Sequence, residues 1–124
     1  MDAARQARQE RKEELLRELA EISVEEQVEE GVFLETPHFS IIERAAAHLG
    51  RQLSRQAQER AAREVAAQCE ARVACPTCGA LCDVRTENRL ITSGDGPVEM
   101  TETVADCRSC RRSFFPSARS DGTG

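Results

Sequence analysis

Residues 75–110 open on Cys75-Pro76-Thr77-Cys78-Gly79 and close on Cys107-Arg108-Ser109-Cys110. Between the two C-x-x-C pairs lie two runs rich in Val, Ile, Leu and Thr, 84–92 and 98–106. They flank the turn cluster Ser93-Gly94-Asp95-Gly96-Pro97. Runs of that kind about such a cluster predict a β-hairpin. A C-x-x-C turn aims two sulfurs at one point, and two such turns close a four-thiolate shell around a tetrahedral metal ion. The hairpin returns the second pair beside the first, and Gly79 suits the tight backbone turn after Cys78. This is zinc-ribbon geometry, with Cys75, Cys78, Cys107 and Cys110 as the expected ligands of one structural Zn²⁺. The gap between the pairs exceeds the usual ribbon spacing, and the two-stranded excursion accounts for the excess.

Rival readings of the cysteines are structural disulfides, unrelated thiols, a thioredoxin-like redox pair and an iron–sulfur cluster. Disulfides conflict with a reducing compartment. The βαβ pattern of a thioredoxin-like site is absent. Four thiolates remain chemically compatible with iron–sulfur. A shell closed by four cysteines leaves no open coordination position, so the expected metal is structural and not catalytic. Cys69 and Cys82 fall outside the pairs. Cys69 reads as a small apolar residue on a helix, and Cys82 as a bystander to the metal.

Upstream the texture is helical. Residues 1–36 form a charged N-terminal helix followed by an acidic segment. Positions 1–20 carry five acids and five bases, and positions 21–36 carry six Glu and no base. Leu15, Leu16, Leu19 and Ile22 make a short apolar stripe at helical spacing. The run Glu21–Glu30 either continues the helix or begins a linker, and Gly31 to Pro37 is a break. Thr36-Pro37, or Ser40 with Glu43, then marks a second start. Residues 37–74 predict one long amphipathic helix, kinked or split at Gly50. Its stripe is Ile42, Ala46, Leu49, Leu53, Ala57, Ala61, Val65 and Cys69. So long a stripe needs cover, from the first helix, a missing domain or a second copy. A homodimer through the 37–74 helix, coiled-coil fashion, is thus one expectation. Residues 117–124 are small and polar and read as a disordered tail.

The 124 residues carry a formal charge of −5, with 3% aromatics. So short a chain, poor in bulky residues, does not wall a large catalytic pocket and bury a core as well. No Walker A loop, H-E-x-x-H or G-x-S-x-G is present, and the acids mark no acid–base pair. The expectation is therefore no enzyme, no catalytic residue and no small-molecule substrate. No signal-peptide core or membrane-length apolar run occurs, so the expected location is the cytoplasm, with no membrane partner. Acidity argues against general polyanion binding, but charge is local. Arg108, Arg111 and Arg112 cluster at the second C-x-x-C pair, where they either offset the thiolates or face a phosphate backbone. Phe114 and Phe115 follow, suited to a small core or to stacking on bases.

In its cysteine-rich third the chain resembles the N-terminal region of bacterial insertion-sequence transposases of the Kra type. The matching pieces are Cys75-Pro76-Thr77-Cys78-Gly79, the turn Gly96-Pro97-Val98, Cys107-Arg108-Ser109-Cys110 and Phe114-Phe115-Pro116. The resemblance implies a DNA-binding zinc ribbon of a mobile element, without the catalytic carboxylate domain that follows in the family. The chain departs from the family on the strand before the second pair. Thr101, Glu102, Val104 and Ala105 stand where basic residues and a Tyr pair are usual. The expected architecture is α+β: N-terminal helices, then a C-terminal ribbon over 75–116. The expected function is a zinc-ribbon DNA-binding module. Its rival is a protein-interaction adaptor in which the ribbon is a staple and the helical surface works.

Overall fold

The computed structural model describes residues 2–34 and 39–116, and the fold is α+β, two helices followed by four antiparallel strands. The chain divides into two compact units, residues 1–50 and 51–124.

In the first unit, α1 spans Ala3–Glu29 as one uninterrupted helix. The acidic run therefore continues the helix and is not a linker up to Glu29. Its residues are good helix formers, and Asp2 caps the start by accepting the Ala4 N–H at 3.0 Å. Gly31, at φ 81°, ends it in a Schellman motif. The Val32 N–H reaches the Gln27 carbonyl at 3.0 Å, and the Gly31 N–H reaches that of Val28 at 3.1 Å. No α1 residue is buried, so Leu15, Leu16, Leu19 and Ile22 stay exposed.

The second helix, α2, spans Phe39–Ala67 and passes through Gly50 without a break. Ser40 lies inside it and does not cap it, while Thr36-Pro37 lies outside the described residues. It is shorter than the 37–74 expected. The Gln68 N–H is shared between the carbonyls of Glu64 and Val65, tightening the last turn. Arg72–Ala74 then pair as a strand.

In the second unit the sheet order is β1-β2-β3-β4, all antiparallel: β1 Arg72–Ala74, β2 Leu81–Ser93, β3 Gly96–Cys107 and β4 Arg112–Phe114. The hairpin expected from 84–92 and 98–106 is β2–β3, longer at both ends. Its ladder runs from Val84↔Ala105 to Ser93↔Gly96, closed by a turn at Gly94-Asp95. The two short strands carry too few residues to show a period, so only pairing reveals them.

The face of α2 that meets the hairpin is not the apolar stripe. Leu53 and Val65 are exposed, whereas Ala62 and Ala66 are buried and Ser54, Arg55, Gln58 and Glu59 are half-buried. The hairpin turn presents polar groups, and polar side chains meet them. Ser54 Oγ donates to Asp95 Oδ2 at 2.6 Å, and Arg55 Nη1 to the Asp95 carbonyl at 2.9 Å. Gln58 Nε2 donates to Ser93 Oγ at 3.3 Å. Farther along, alanine lets the helix approach a strand that buries Val98, Thr103 and Val104. Val98 is fully buried. Among the described residues no helix is long and apolar enough to cross a membrane.

Candidate metal centre

Each C-x-x-C pair is the turn between two strands. Cys75 follows β1 and Cys78 precedes β2; Cys107 ends β3 and Cys110 precedes β4. The first turn is pinned by the Cys75 N–H on the Ala80 carbonyl at 2.8 Å and the Gly79 N–H on the Cys75 carbonyl at 2.9 Å. Gly79 sits at φ 80° and Arg111, in the matching place after Cys110, at φ 54°. Pairing of β2 with β3 sets the turns side by side.

The sulfurs of Cys75, Cys78, Cys107 and Cys110 all lie within 4.8 Å of one another. Cys75 Sγ is 3.8 Å from Cys110 Sγ, and Cys78 Sγ is 3.5 Å from Cys107 Sγ. A tetrahedron of sulfurs about 2.3 Å from a central ion has edges of about 3.8 Å. The four cysteines are thus positioned to bind a metal ion.

The backbone prepares the thiolates. N–H groups of Cys78 and Thr77 directed at Cys75 draw its thiol from 9.0 down to about 6, the Thr77 N–H lying 3.4 Å from Sγ. The Cys110 N–H, 3.4 Å from Cys107 Sγ, lowers Cys107 in the same way. Thiols this close cannot all ionise without a cation among them, and Cys110, hydrogen-bonded to Cys78, is pushed up to about 12.

Cys82 is buried against Cys75 and Cys107, with Ala105, in the small core beneath the site, yet stays outside the ligand cluster. Its thiol donates to the Ala80 carbonyl at 3.4 Å, and burial raises its pKa. Cys69 is half-buried just beyond α2 and not among the clustered sulfurs. Phe114 packs on the small core, while Phe115 is exposed. His48 is exposed, and His38 lies outside the described residues.

Arg108, Arg111 and Arg112 are all exposed at the second turn. Among the described residues none of them has an acidic partner. The arginines of β1 and β2 differ: Arg72 pairs with Asp83, Arg85 with Glu87 and Asp106, and Arg89 with Glu102. A groove of about 570 Å³ beside the second turn is lined by Arg72, Arg85 and Arg108 and by Asp83 and Asp106. Sequence reading missed Arg72 and Arg85 as neighbours of the site: the three-residue β1 sets Arg72 beside Asp83, and the exact register of β2 on β3 sets Arg85 beside Asp106. Compared with known proteins, the chain matches no family model, and neither the curated proteins nor the solved structures give a match.

Proposed function

We propose that the chain is a non-catalytic zinc-ribbon module that binds DNA through the second knuckle. The observation that carries this reading is the state of Arg108, Arg111 and Arg112, exposed and without acidic partners among the described residues, whereas Arg72, Arg85 and Arg89 of β1 and β2 are paired. A guanidinium free of carboxylates offers its fork to phosphate oxygens. Arg111 adds weight, because a non-glycine residue at φ 54° keeps a strained backbone that glycine would relieve. The resemblance to the transposase N-terminal region supports DNA as the polyanion. The formal charge of −5 opposes binding only as a long-range average, whereas the contact is local.

Zinc is the ion that suits four thiolates at these separations. When bound, it supplies folding energy to strands too short to hold the knuckles alone. Arg108, Arg111 and Arg112 also offset the excess negative charge of a four-thiolate shell.

A second reading rests on a specific observation. Leu15, Leu16, Leu19 and Ile22 on α1, and Leu53 and Val65 on α2, are exposed. In that reading the helices dock a protein and the ribbon is a staple.

Titration of the metal-loaded chain into labelled duplex DNA, by fluorescence anisotropy at several salt concentrations, tests the reading. Saturable binding that weakens with salt is expected. Reversal of the three arginines to Glu is expected to abolish it, and each single Arg→Ala to reduce the salt slope by about one. Absence of binding at low salt, or binding indifferent to the reversal, overturns it in favour of the helical adaptor.

A further inference from the structure

The two long strands treat their outer edges differently. In the β2–β3 ladder, N–H groups alternate between the partner strand and the outside. Three observations fix which point outward. The Val84 N–H bonds the Ala71 carbonyl at 2.9 Å, away from β3. The Glu99 N–H, opposite Leu90, bonds Glu59 Oε2 of α2 at 2.8 Å. Pro97, opposite Thr92, has no N–H to offer. The outward edge of β3 is therefore blunted by Pro97, by Glu59 and by the burial of Thr103. On β2 the outward positions are Thr86, Asn88, Leu90 and Thr92, and among the described residues no backbone group bonds them.

An open edge is a template for another strand unless proline, a bulge or like charge blocks it. The segment Thr86-Glu87-Asn88-Arg89-Leu90-Ile91-Thr92 has no proline or glycine, and its charges alternate in sign. Leu90 is 73% exposed at the edge. We infer that this edge is where a second copy of the chain pairs, β2 against β2, antiparallel about a two-fold axis through Asn88. In that register Asn88 faces Asn88 of the second copy and Thr86 faces Leu90, each pair exchanging outward backbone hydrogen bonds. Glu87 then faces Arg89, and Arg89 faces Glu87, at the non-hydrogen-bonded positions where side chains come closest.

Charge selects this register over its neighbours. The two-fold centred on Glu87 sets Glu87 against Glu87 and Arg85 against Arg89. The one centred on Arg89 sets Arg89 against Arg89. Within one chain Glu87 lies directly opposite Glu102, and each carboxylate already takes one arginine, Arg85 and Arg89 respectively. A carboxylate accepts more than one donor, so Glu87 takes the incoming Arg89 while keeping Arg85. The span is bounded by Ala71, which already holds Val84, and by the turn after Ser93, so the edge left to pair with its copy is Thr86–Leu90. The inference is independent of DNA binding at the knuckle.

The test is sedimentation equilibrium of the metal-loaded full chain across the micromolar range. A species of twice the 13.7 kDa chain mass is expected. Glu87→Arg and Arg89→Glu are each expected to weaken association about tenfold or more, because both symmetry-related pairs turn repulsive. An equal mixture of the two variants is expected to restore the dimer, since every cross-pair is then opposite in charge. Asn88→Pro removes an outward N–H, leaves the β2–β3 ladder intact and is expected to give a folded monomer by circular dichroism. A wild-type chain that stays monomeric overturns the inference. So does a dimer indifferent to Asn88→Pro and to the charge reversals, which assigns the contact to the helices.

Discussion

Gly79 and Arg111 hold the same place in the two knuckles, one residue after the second cysteine of each pair, and both lie at positive φ, 80° and 54°. Each knuckle turns its chain into the next strand through a left-handed residue. Glycine does this without strain and arginine does not. A Cβ at Gly79 meets no atom within 4 Å, so Gly79→Ala tests backbone conformation alone. It is expected to cost about 1 kcal/mol. Arg111→Gly is expected to raise stability by up to about 1 kcal/mol while weakening DNA binding. Urea unfolding of the metal-loaded variants, with anisotropy on the second, reads both effects.

Metal content separates the six cysteines. One equivalent of zinc per chain is expected by elemental analysis. Alanine at Cys75, Cys78, Cys107 or Cys110 is expected to abolish tight binding, since a three-thiolate shell is open. Alanine at Cys69 or Cys82 is expected to leave one equivalent bound. Chelation is expected to remove the cooperative unfolding of the sheet, followed by circular dichroism. Retention of zinc by Cys107→Ala would refute the assignment.

Ala62 and Ala57 differ by five residues on α2 and by opposite surroundings. Ala62 is buried and Ala57 is exposed. Ala62→Leu is expected to overpack the helix against the hairpin and to cost about 1–3 kcal/mol. Ala57→Leu is expected to change stability by less than about 0.5 kcal/mol. A larger loss from Ala57→Leu than from Ala62→Leu in thermal unfolding would show that the apolar stripe, and not the face carrying Ala62, meets the sheet.

The hairpin turn is clasped from one side. Asp95 accepts from Ser54 through its side chain and from Arg55 through its carbonyl. Asp95→Ala removes only the first bond and is expected to cost about 1 kcal/mol. Gly96 is at φ 113°, and a Cβ there would lie 3.1 Å from Arg55 Nη1. Gly96→Ala is therefore expected to cost more, by backbone strain, with Arg55→Ala recovering only the small part due to crowding.

Much of this was legible in residue order. Two C-x-x-C pairs around a turn cluster specify the hairpin and its four clustered sulfurs, because ligand spacing and turn chemistry are local. Gly31 specifies the end of α1 for the same reason: the left-handed residue a Schellman cap needs is written at one position. The helical texture of 1–20 and 37–74 is likewise a sum of local preferences, which left 21–30 open between helix and linker and ran past the end of α2 at Ala67.

Which face of α2 meets the sheet was not legible. Apolar periodicity selects Leu53, Ala57, Ala61 and Val65, but the helix meets a turn that presents the Asp95 carboxylate and carbonyl and the Ser93 hydroxyl. Unmet polar groups at a contact cost more than a modest apolar stripe left in water, so hydrogen bonding outweighs pattern there. The strands β1 and β4, the pairing of Arg85 with Asp106, and the covered edge of β3 beside the open edge of β2 also arise only when distant segments meet. Residue order alone settled the two helices, the β2–β3 hairpin with its turn, and the four cysteines positioned for a metal ion, all set by neighbours along the chain. Which faces and edges are satisfied emerges only in the folded chain, because that depends on partners that composition and spacing do not name.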